Sequence, residues 1–128
     1  MYIGVMPEVK WDIDKTRPIC PQIYEQICVG IVSGEFATKE KLYSVRELAL
    51  LLGVNPNTVQ KSYDLLEEKK VIYSVRGSGW YVEENTSVAK EVVDGLCHKK
   101  TEDYLLMMKR LGCDFEKVLS YLKEREGD

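Results

Sequence analysis

An amphipathic pattern near the start of the chain predicts the first helix. Ile23, Ile27 and Ile31 recur every four residues, which places all three on one helical face. We expect this helix to span residues 20–33, because Gly34 is typical of the position just beyond a helix end. The apolar face is the first candidate contribution to a hydrophobic core.

Upstream of this helix the hydrophobic period is two rather than four. Val9, Trp11 and Ile13 alternate with charged residues, so that their side chains would share one face of an extended segment. Such alternation is typical of a half-buried β-strand. We therefore predict a short strand between residues 9 and 13.

Two more helices are predicted in close succession. The segment Ser44-Val45-Arg46-Glu47 is a capping-box pattern, in which the serine and glutamate side chains satisfy free amides at a helix start. Gly53 ends this short second helix, and Asn55 followed by Pro56 is typical of the cap and first position of the next. We expect that third helix over residues 56–69. The tight turn between the two helices indicates a helix-turn-helix.

A β-hairpin is predicted directly after the third helix. Residues 71–75 are rich in β-branched and aromatic side chains, residues 80–82 form a second such run, and a glycine-containing turn separates them. Three helices followed by a hairpin are the element order of a winged helix-turn-helix. We assign this DNA-binding domain to residues 1–83.

The last third of the chain is predicted to be helical. Apolar residues recur at helical spacing after Asn85, and Gly112, Cys113 and Asp114 interrupt the pattern before it resumes. The predicted fold class is therefore mainly α with a small β-hairpin. It combines a winged helix-turn-helix with a two-helix C-terminal dimerisation tail over residues 84–128.

Composition narrows the function classes. The 128 residues are 45% hydrophobic and 30% charged, as in an ordinary soluble protein. Four cysteines without a C-x-x-C pair and a single histidine lead us to expect no metal and no cofactor. No nucleophile–base pair and no Gly-rich phosphate motif is apparent, so we expect no enzyme. We find no membrane-spanning run and no signal peptide, and we expect a cytoplasmic protein.

The polar side chains around the second and third helices indicate the function. A recognition helix presents its first residues to base edges, while flanking side chains contact phosphates. The net charge of −3 argues mildly against DNA binding, but the local field on one face matters more than this average. The candidate DNA contacts are Ser44, Arg46, Asn55, Pro56, Asn57, Thr58, Gln60, Lys61, Arg76 and Gly77. The alternative is a polar face that is merely solvated.

Four segments of the chain resemble the GntR family of bacterial regulators. They are Pro21–Ile27, Leu42–Ala49, Leu52–Val59 and Arg76–Val82. The resemblance implies a sequence-specific transcription regulator whose partner is double-stranded operator DNA. It places Arg46 at the arginine of the family's Leu-Pro-Ser-x-Arg motif. A winged helix that binds a protein partner and not DNA is the alternative function.

Two positions depart from the pattern of the family. Tyr43 stands where the family usually has proline, and Lys70 stands where a glycine often ends the recognition helix. Neither position is among the candidate DNA contacts. We therefore expect these departures to affect the ends of the helices rather than the surface that faces DNA.

The short tail resembles that of the YtrA subfamily, which implies a homodimer that represses its own operon, commonly one with an ABC transporter. The apolar residues of the tail also occupy more stripes than a two-helix hairpin can bury, and such surface usually marks an interface. The candidate dimer contacts are Val88, Val92, Leu96, Tyr104, Leu105, Met108, Leu111, Phe115, Leu119 and Leu122. The alternative is a tail that packs only on its own winged helix.

A small-molecule effector is a further partner that the tail could accept, although the sequence does not identify one. Cys97, Tyr104, Met107 and Met108 could line a cavity for it. Methionines at helical spacing are more commonly filler of a core or an interface. Both interpretations remain open at the level of sequence.

Overall fold

A computed structural model describes residues 10–127. Its elements are α1 Ile19–Val32, α2 Val45–Leu52, α3 Pro56–Glu68, β1 Ile72–Val75, β2 Gly79–Val82, α4 Ser87–Arg110 and α5 Phe115–Glu124. This order confirms the predicted fold class, mainly α with one β-hairpin. The chain divides into two compact units, Met1–Val93 and Asp94–Asp128. The functional boundary between residues 83 and 84 stays a prediction.

The core of the first unit joins α1, α2, α3 and the hairpin. The residues that are at most 1% exposed include Ile23, Ile27, Cys28, Leu48, Val59, Tyr63, Leu66, Ile72 and Val82. Two polar side chains of α3 in this core are hydrogen-bonded, and the Tyr63 hydroxyl donates to the Tyr43 carbonyl oxygen at 2.7 Å. The Ser62 hydroxyl likewise donates to the Cys20 carbonyl oxygen at 2.9 Å. These bonds fix α3 against α1 and against the segment before α2.

The predicted strand before α1 is wrong for the residues that the structure describes; Val9 lies outside them. Trp11 and Ile13 are half-buried and pack against the core, as the alternation implied, but residues 10–14 form no strand. Among residues 10–127 no strand pairs with them. Instead of a partner strand, side-chain amides of α1 form hydrogen bonds with the backbone of alternate residues in this segment.

Gln26 and Gln22 supply these amides. The Asp12 amide donates to Gln26 Oε1 at 2.9 Å, and Gln26 Nε2 donates to the Asp12 carbonyl oxygen at 2.6 Å. Gln22 makes the same pair of bonds to Asp14, at 2.8 and 2.9 Å. Because residues four apart on a helix share a face, the two glutamines match the period of two of the extended segment.

The hairpin carries a third segment that the sequence pattern did not indicate. β1 and β2 are antiparallel, with Tyr73 opposite Tyr81 and their rings stacked at 5.7 Å between centroids. Residues 39–42 run along the other edge of β2. The Leu42 amide donates to the Trp80 carbonyl oxygen at 2.8 Å. Trp80 also contacts the Tyr63 ring edge-on, at 5.4 Å between centroids, which ties the hairpin to α3.

α3 ends one residue before the predicted position. Lys70 follows with φ of 63°, the left-handed conformation that favours glycine. Its amide donates to the Glu67 carbonyl oxygen at 3.0 Å, and the Val71 amide donates to the Leu66 carbonyl oxygen at 2.8 Å. These two bonds form a Schellman motif, which closes a helix end. A lysine therefore occupies the place that glycine often takes in the family.

The second unit contains most of α4 and all of α5, as the sequence predicted for the tail. Asp114 caps α5, because its carboxylate accepts a hydrogen bond from the Lys117 amide at 2.9 Å. Val118 is 2% exposed and is the buried residue of α5. No helix in residues 10–127 is both long and apolar enough to cross a membrane.

Candidate nucleic-acid interface

The ends of α2 and α3 meet at a tight turn whose geometry is set by caps. The Ser44 hydroxyl accepts from the Glu47 amide at 3.1 Å, and Glu47 Oε1 accepts from the Ser44 amide at 2.8 Å, which confirms the capping box. Gly53 ends α2 with φ of 66°. The Asn55 side chain then caps α3 by accepting from the Asn57 amide at 2.8 Å. The chain therefore enters α3 in a fixed direction.

Arg46 and the start of α3 lie on one surface. They line a shallow groove of about 630 Å³ together with Ala49, Leu50, Gly53, Val54 and Pro56. Arg46 precedes Leu50 by one helical turn, so both project from the same face of α2. The groove brings the arginine predicted for phosphate contact beside the first residue of the recognition helix.

The candidate side chains of α2 and α3 divide into two groups by what they already bind. Ser44 and Asn55 use their side-chain oxygens as caps, and Gln60 Nε2 donates to Asp64 Oδ1 at 2.8 Å. The other group, Arg46, Asn57, Thr58 and Lys61, has no side-chain partner among residues 10–127; Thr58 is half-buried and the other three are exposed. Members of this second group are free to contact a ligand.

The hairpin of β1 and β2 is the wing of the domain. Its tip is a tight turn that carries Arg76, a cation without an ion-pair partner within residues 10–127. Gly77 has φ of 78°, and the Ser78 amide donates to the Val75 carbonyl oxygen at 2.9 Å. Arg76 is exposed at this turn. The Ser78 hydroxyl bonds to the Tyr81 hydroxyl, which steadies the turn from within β2. Arg76 and Gly77 thus stand at the tip, as the sequence predicted.

In the part of the chain that the structure describes, the cations around the start of α3 and at the wing are unpaired, and the acidic residues of α3, Asp64, Glu67 and Glu68, lie in its second half. Within residues 10–127, Arg46, Lys61 and Arg76 have no ion-pair partner. Residues 48–63 and 69–82 contain neither Asp nor Glu. Unpaired cations of this kind attract a polyanion. The net charge of −3 is an average that conceals this arrangement.

Lys41 is a further cation of this surface that the sequence pattern did not single out. It lies in the third segment of the hairpin, opposite Tyr81, and its Cε stands 3.1 Å from where a Cβ on Gly79 would be. Hydrogen bonds from Ser44 hold the pKa of the Glu47 carboxyl below its ordinary value, and the charge of Lys41 adds to this effect. Only the pairing of residues 39–42 with β2 would have identified it.

The candidate dimer contacts differ in exposure. Val88 and Val92 are half-buried and pack against the core of the first unit. Leu96, Leu105, Met108 and Leu119 are half-buried. Tyr104, Leu111, Phe115 and Leu122 are exposed, as are Leu106 and Met107, which were not among the candidates for that interface. The tail therefore retains large apolar side chains that its own unit leaves uncovered.

The residues considered for an effector cavity line none of the grooves described within residues 10–127. Cys97, Tyr104 and Met107 are exposed and Met108 is half-buried. The tail has an apolar groove of about 470 Å³, but it is lined by Leu105, Lys109, Gly112, Cys113, Asp114, Phe115 and Val118. No group of His, Cys, Asp and Glu in the described part of the chain is arranged to hold a metal ion.

Comparison with known proteins supports the regulatory interpretation. Residues 21–82 match the family of bacterial regulatory proteins called the gntR family. An uncharacterised helix-turn-helix regulator of Bacillus subtilis, YhcF, is 35% identical over 84% of this chain and 89% of its own. The helix-turn-helix transcriptional repressor YtrA of the same organism is 32% identical over 94% of this chain and 93% of its own. These matches do not support the alternative of a winged helix without DNA binding.

The fold has solved counterparts over nearly its whole length. A GntR family transcriptional regulator from Listeria monocytogenes is 38% identical, with a TM-score of 0.73. The match covers 88% of this chain and 98% of that protein. The similarity therefore includes helices of the C-terminal tail as well as the winged helix.

Proposed function

Because the chain belongs to the GntR family and is a DNA-binding transcription regulator, we propose that it acts as a homodimeric repressor of a two-fold operator. α3 enters the major groove, and the wing and the start of α2 contact the flanking phosphates. The tail joins the two protomers. The protein acts where the bacterial chromosome lies, in the cytoplasm.

The observation that carries the DNA part of the proposal is the set of free side chains around the start of α3. Arg46, Asn57, Lys61 and Arg76 have no partner of their own within residues 10–127. Amide side chains suit the edges of bases, and arginine or lysine suits phosphates or guanine. The caps hold these residues in place without using the same atoms.

The exposed apolar residues of the tail support the dimer. Leu111, Phe115 and Leu122 are 72%, 60% and 51% exposed. Burying such side chains against a second copy removes them from water. This burial stabilises the dimer by about 25 cal/mol for each Å² of apolar surface. A two-fold dimer presents its recognition helices to half-sites about 34–36 Å apart for one turn of DNA.

Repression is proposed by relation to YtrA, which is named a transcriptional repressor. A regulator that occupies a promoter excludes the polymerase, and no further domain is required for that effect. A reporter gene under a promoter that overlaps the operator would be silenced by the protein. Higher reporter output in its presence would contradict the proposal.

The test of DNA binding is a selection of duplexes from a random library at two salt concentrations. We expect enrichment of a palindrome, with affinity that falls steeply as salt rises because cations are released from the phosphates. The spacing of the two halves reports the distance between recognition helices. A folded protein that enriches no sequence would contradict the proposed function.

Arg46→Ala tests the site itself. We expect weaker binding to all sequences. The slope of log affinity against log salt concentration should fall in magnitude by about one for each phosphate that the arginine neutralises in the parent complex. Arg110→Ala is the matched control, because it removes the same charge from the basic end of α4. Equal slopes for the parent and the Arg46 variant would remove this arginine from the interface.

A surface substitution tests the role of the tail in the full chain. Leu111→Glu places a charge on an exposed apolar residue, and we expect light scattering to report monomers or a weakened dimer. Leu51→Glu is the control, since Leu51 is 56% exposed on α2. If both variants keep the mass of a dimer, the assignment of the interface to this part of the tail is wrong.

A further inference from the structure

Lys15 belongs to the segment before α1, which lies outside the helix-turn-helix motif. Asp14 precedes Lys15, and the Gln22 side chain holds the backbone of Asp14 through two hydrogen bonds. On the other side, the Thr16 amide and hydroxyl and Arg17 Nε donate to the Asp14 carboxylate at 3.0, 2.6 and 3.1 Å. The backbone around Lys15 is therefore held on both sides.

The ammonium group of Lys15 lies against the turn between α2 and α3. Its Nζ is 2.9 Å from where a Cβ on Gly53 would stand, so the glycine leaves room for it. Asn55 follows Gly53 by two residues, and their Cα atoms are at most about 7 Å apart. The Lys15 ammonium is thus at most about 12 Å from the Cα atom of Asn55, on the side of the turn from which α3 begins.

Lys15 is also available for an external anion. It forms no ion pair within residues 10–127. The nearest carboxylate in sequence, Asp14, is occupied by Thr16 and Arg17, and these bonds hold the pKa of Asp14 below its ordinary value. The Asp14 carboxylate therefore does not compete with an external anion for the Lys15 ammonium.

We propose that Lys15 is a further DNA-phosphate contact, held beside the helix-turn-helix turn by the clamped segment before α1. The inference rests on the proposed function, because it requires DNA to dock on α3. It extends the interface from the motif to a residue that precedes α1. A lysine suits a phosphate better than a base here, since its ammonium is a compact point charge with rotatable donors.

The test is the salt dependence of binding to the duplex recovered by the selection, labelled with fluorescein and measured by anisotropy. For each phosphate that Lys15 neutralises, Lys15→Gln should flatten the slope of log affinity against log salt by about 0.9. Between about 50 and 200 mM salt, the affinity of the parent should therefore fall about threefold further than that of the variant for each such phosphate. Lys15→Arg keeps the charge and should restore the slope of the parent.

The control and the opposing outcomes are distinct. Lys100→Gln removes one exposed lysine from α4 and should leave the slope unchanged. An unchanged slope for Lys15→Gln, with a lower unfolding temperature, would mean that Lys15 has only a structural role. In that role it would stabilise the carbonyl groups at the end of α2. Equal flattening by Lys15→Gln and Lys100→Gln would be a general effect of charge and would also overturn the inference. A parent that binds no duplex would instead contradict the proposed function itself.

Discussion

Replacing Lys70 by glycine should stabilise the protein, because this lysine closes α3 in a conformation that side chains disfavour. Its φ is 63°, and a Cβ in this region costs about 1–2 kcal/mol. Glycine removes that cost but gains freedom in the unfolded chain, which offsets about 0.5–1 kcal/mol. The net gain expected for Lys70→Gly therefore lies between about 0 and about 1.5 kcal/mol. The Schellman hydrogen bonds are backbone bonds and remain.

Lys69→Gly is the matched control, since Lys69 precedes Lys70 and has φ of −81°. It removes the same charge and adds the same freedom to the unfolded chain, but relieves no strain. It should destabilise by about 0.5–1 kcal/mol. Urea unfolding at one fixed protein concentration measures both variants, because dimerisation would otherwise change the apparent stability. If the two variants lose stability equally, the left-handed conformation carries no cost and the reasoning fails.

Four further substitutions concern the cap of α2, the core and the exposed surface of α4. Ser44→Ala should lower the free energy of unfolding by about 1 kcal/mol through loss of the α2 cap, as measured with urea. The same change should bring the pKa of Glu47 toward its ordinary value, and an unchanged pKa in an NMR titration would contradict the capping role. Because the pKa of Glu47 is lowered in the folded state, the stability it contributes is complete above the unfolded value of 4.5 and is lost as the pH falls through the folded value. Acid unfolding of Glu47→Gln should accordingly show a weaker dependence on pH. Gly30→Ala should destabilise by about 1–3 kcal/mol, since its Cβ would lie 2.6 Å from the Phe36 ring. A Cβ on Gly95, inside α4, would meet no atom within 4 Å. Gly95→Ala should therefore stabilise the protein by up to about 1 kcal/mol, because alanine favours a helix interior over glycine. A loss of stability would contradict the assignment of Gly95 to an open position inside a helix.

Local signals predicted the helices and the hairpin because each carries its own chemistry. The capping box at Ser44, the Asn55-Pro56 start of α3 and the glycine turn of the wing act over a few residues, so the sequence alone indicates them. The strand expected around Trp11 failed for the opposite reason. Period two reports burial of alternate residues, but a strand also needs a partner, and here the glutamines of α1 take that place.

The candidate DNA interface was predicted in part. The part that the sequence did not indicate depends on contacts between residues that are far apart along the chain. Arg46, Asn57, Lys61 and Arg76 follow from their place in the helix-turn-helix and at the wing tip. The third segment at the edge of β2 brings Lys41 to the hairpin through pairs that are far apart in sequence. No periodicity of residues 35–43 reports such a pairing, because Phe36 and Leu42 are its only buried apolar residues.

The division between capping and free side chains decides what a substitution in this interface can reveal. A change at Asn55 removes the cap that accepts from the Asn57 amide, so it alters the direction of α3 together with any contact to DNA. The side chains of Asn57 and Lys61 form no cap, so we expect changes there to alter only the proposed contacts with DNA. Base preference should therefore change at single positions of the operator when Asn57 is replaced. Replacing Asn55 should weaken binding to every sequence alike, since a tilted recognition helix misplaces all of its side chains at once.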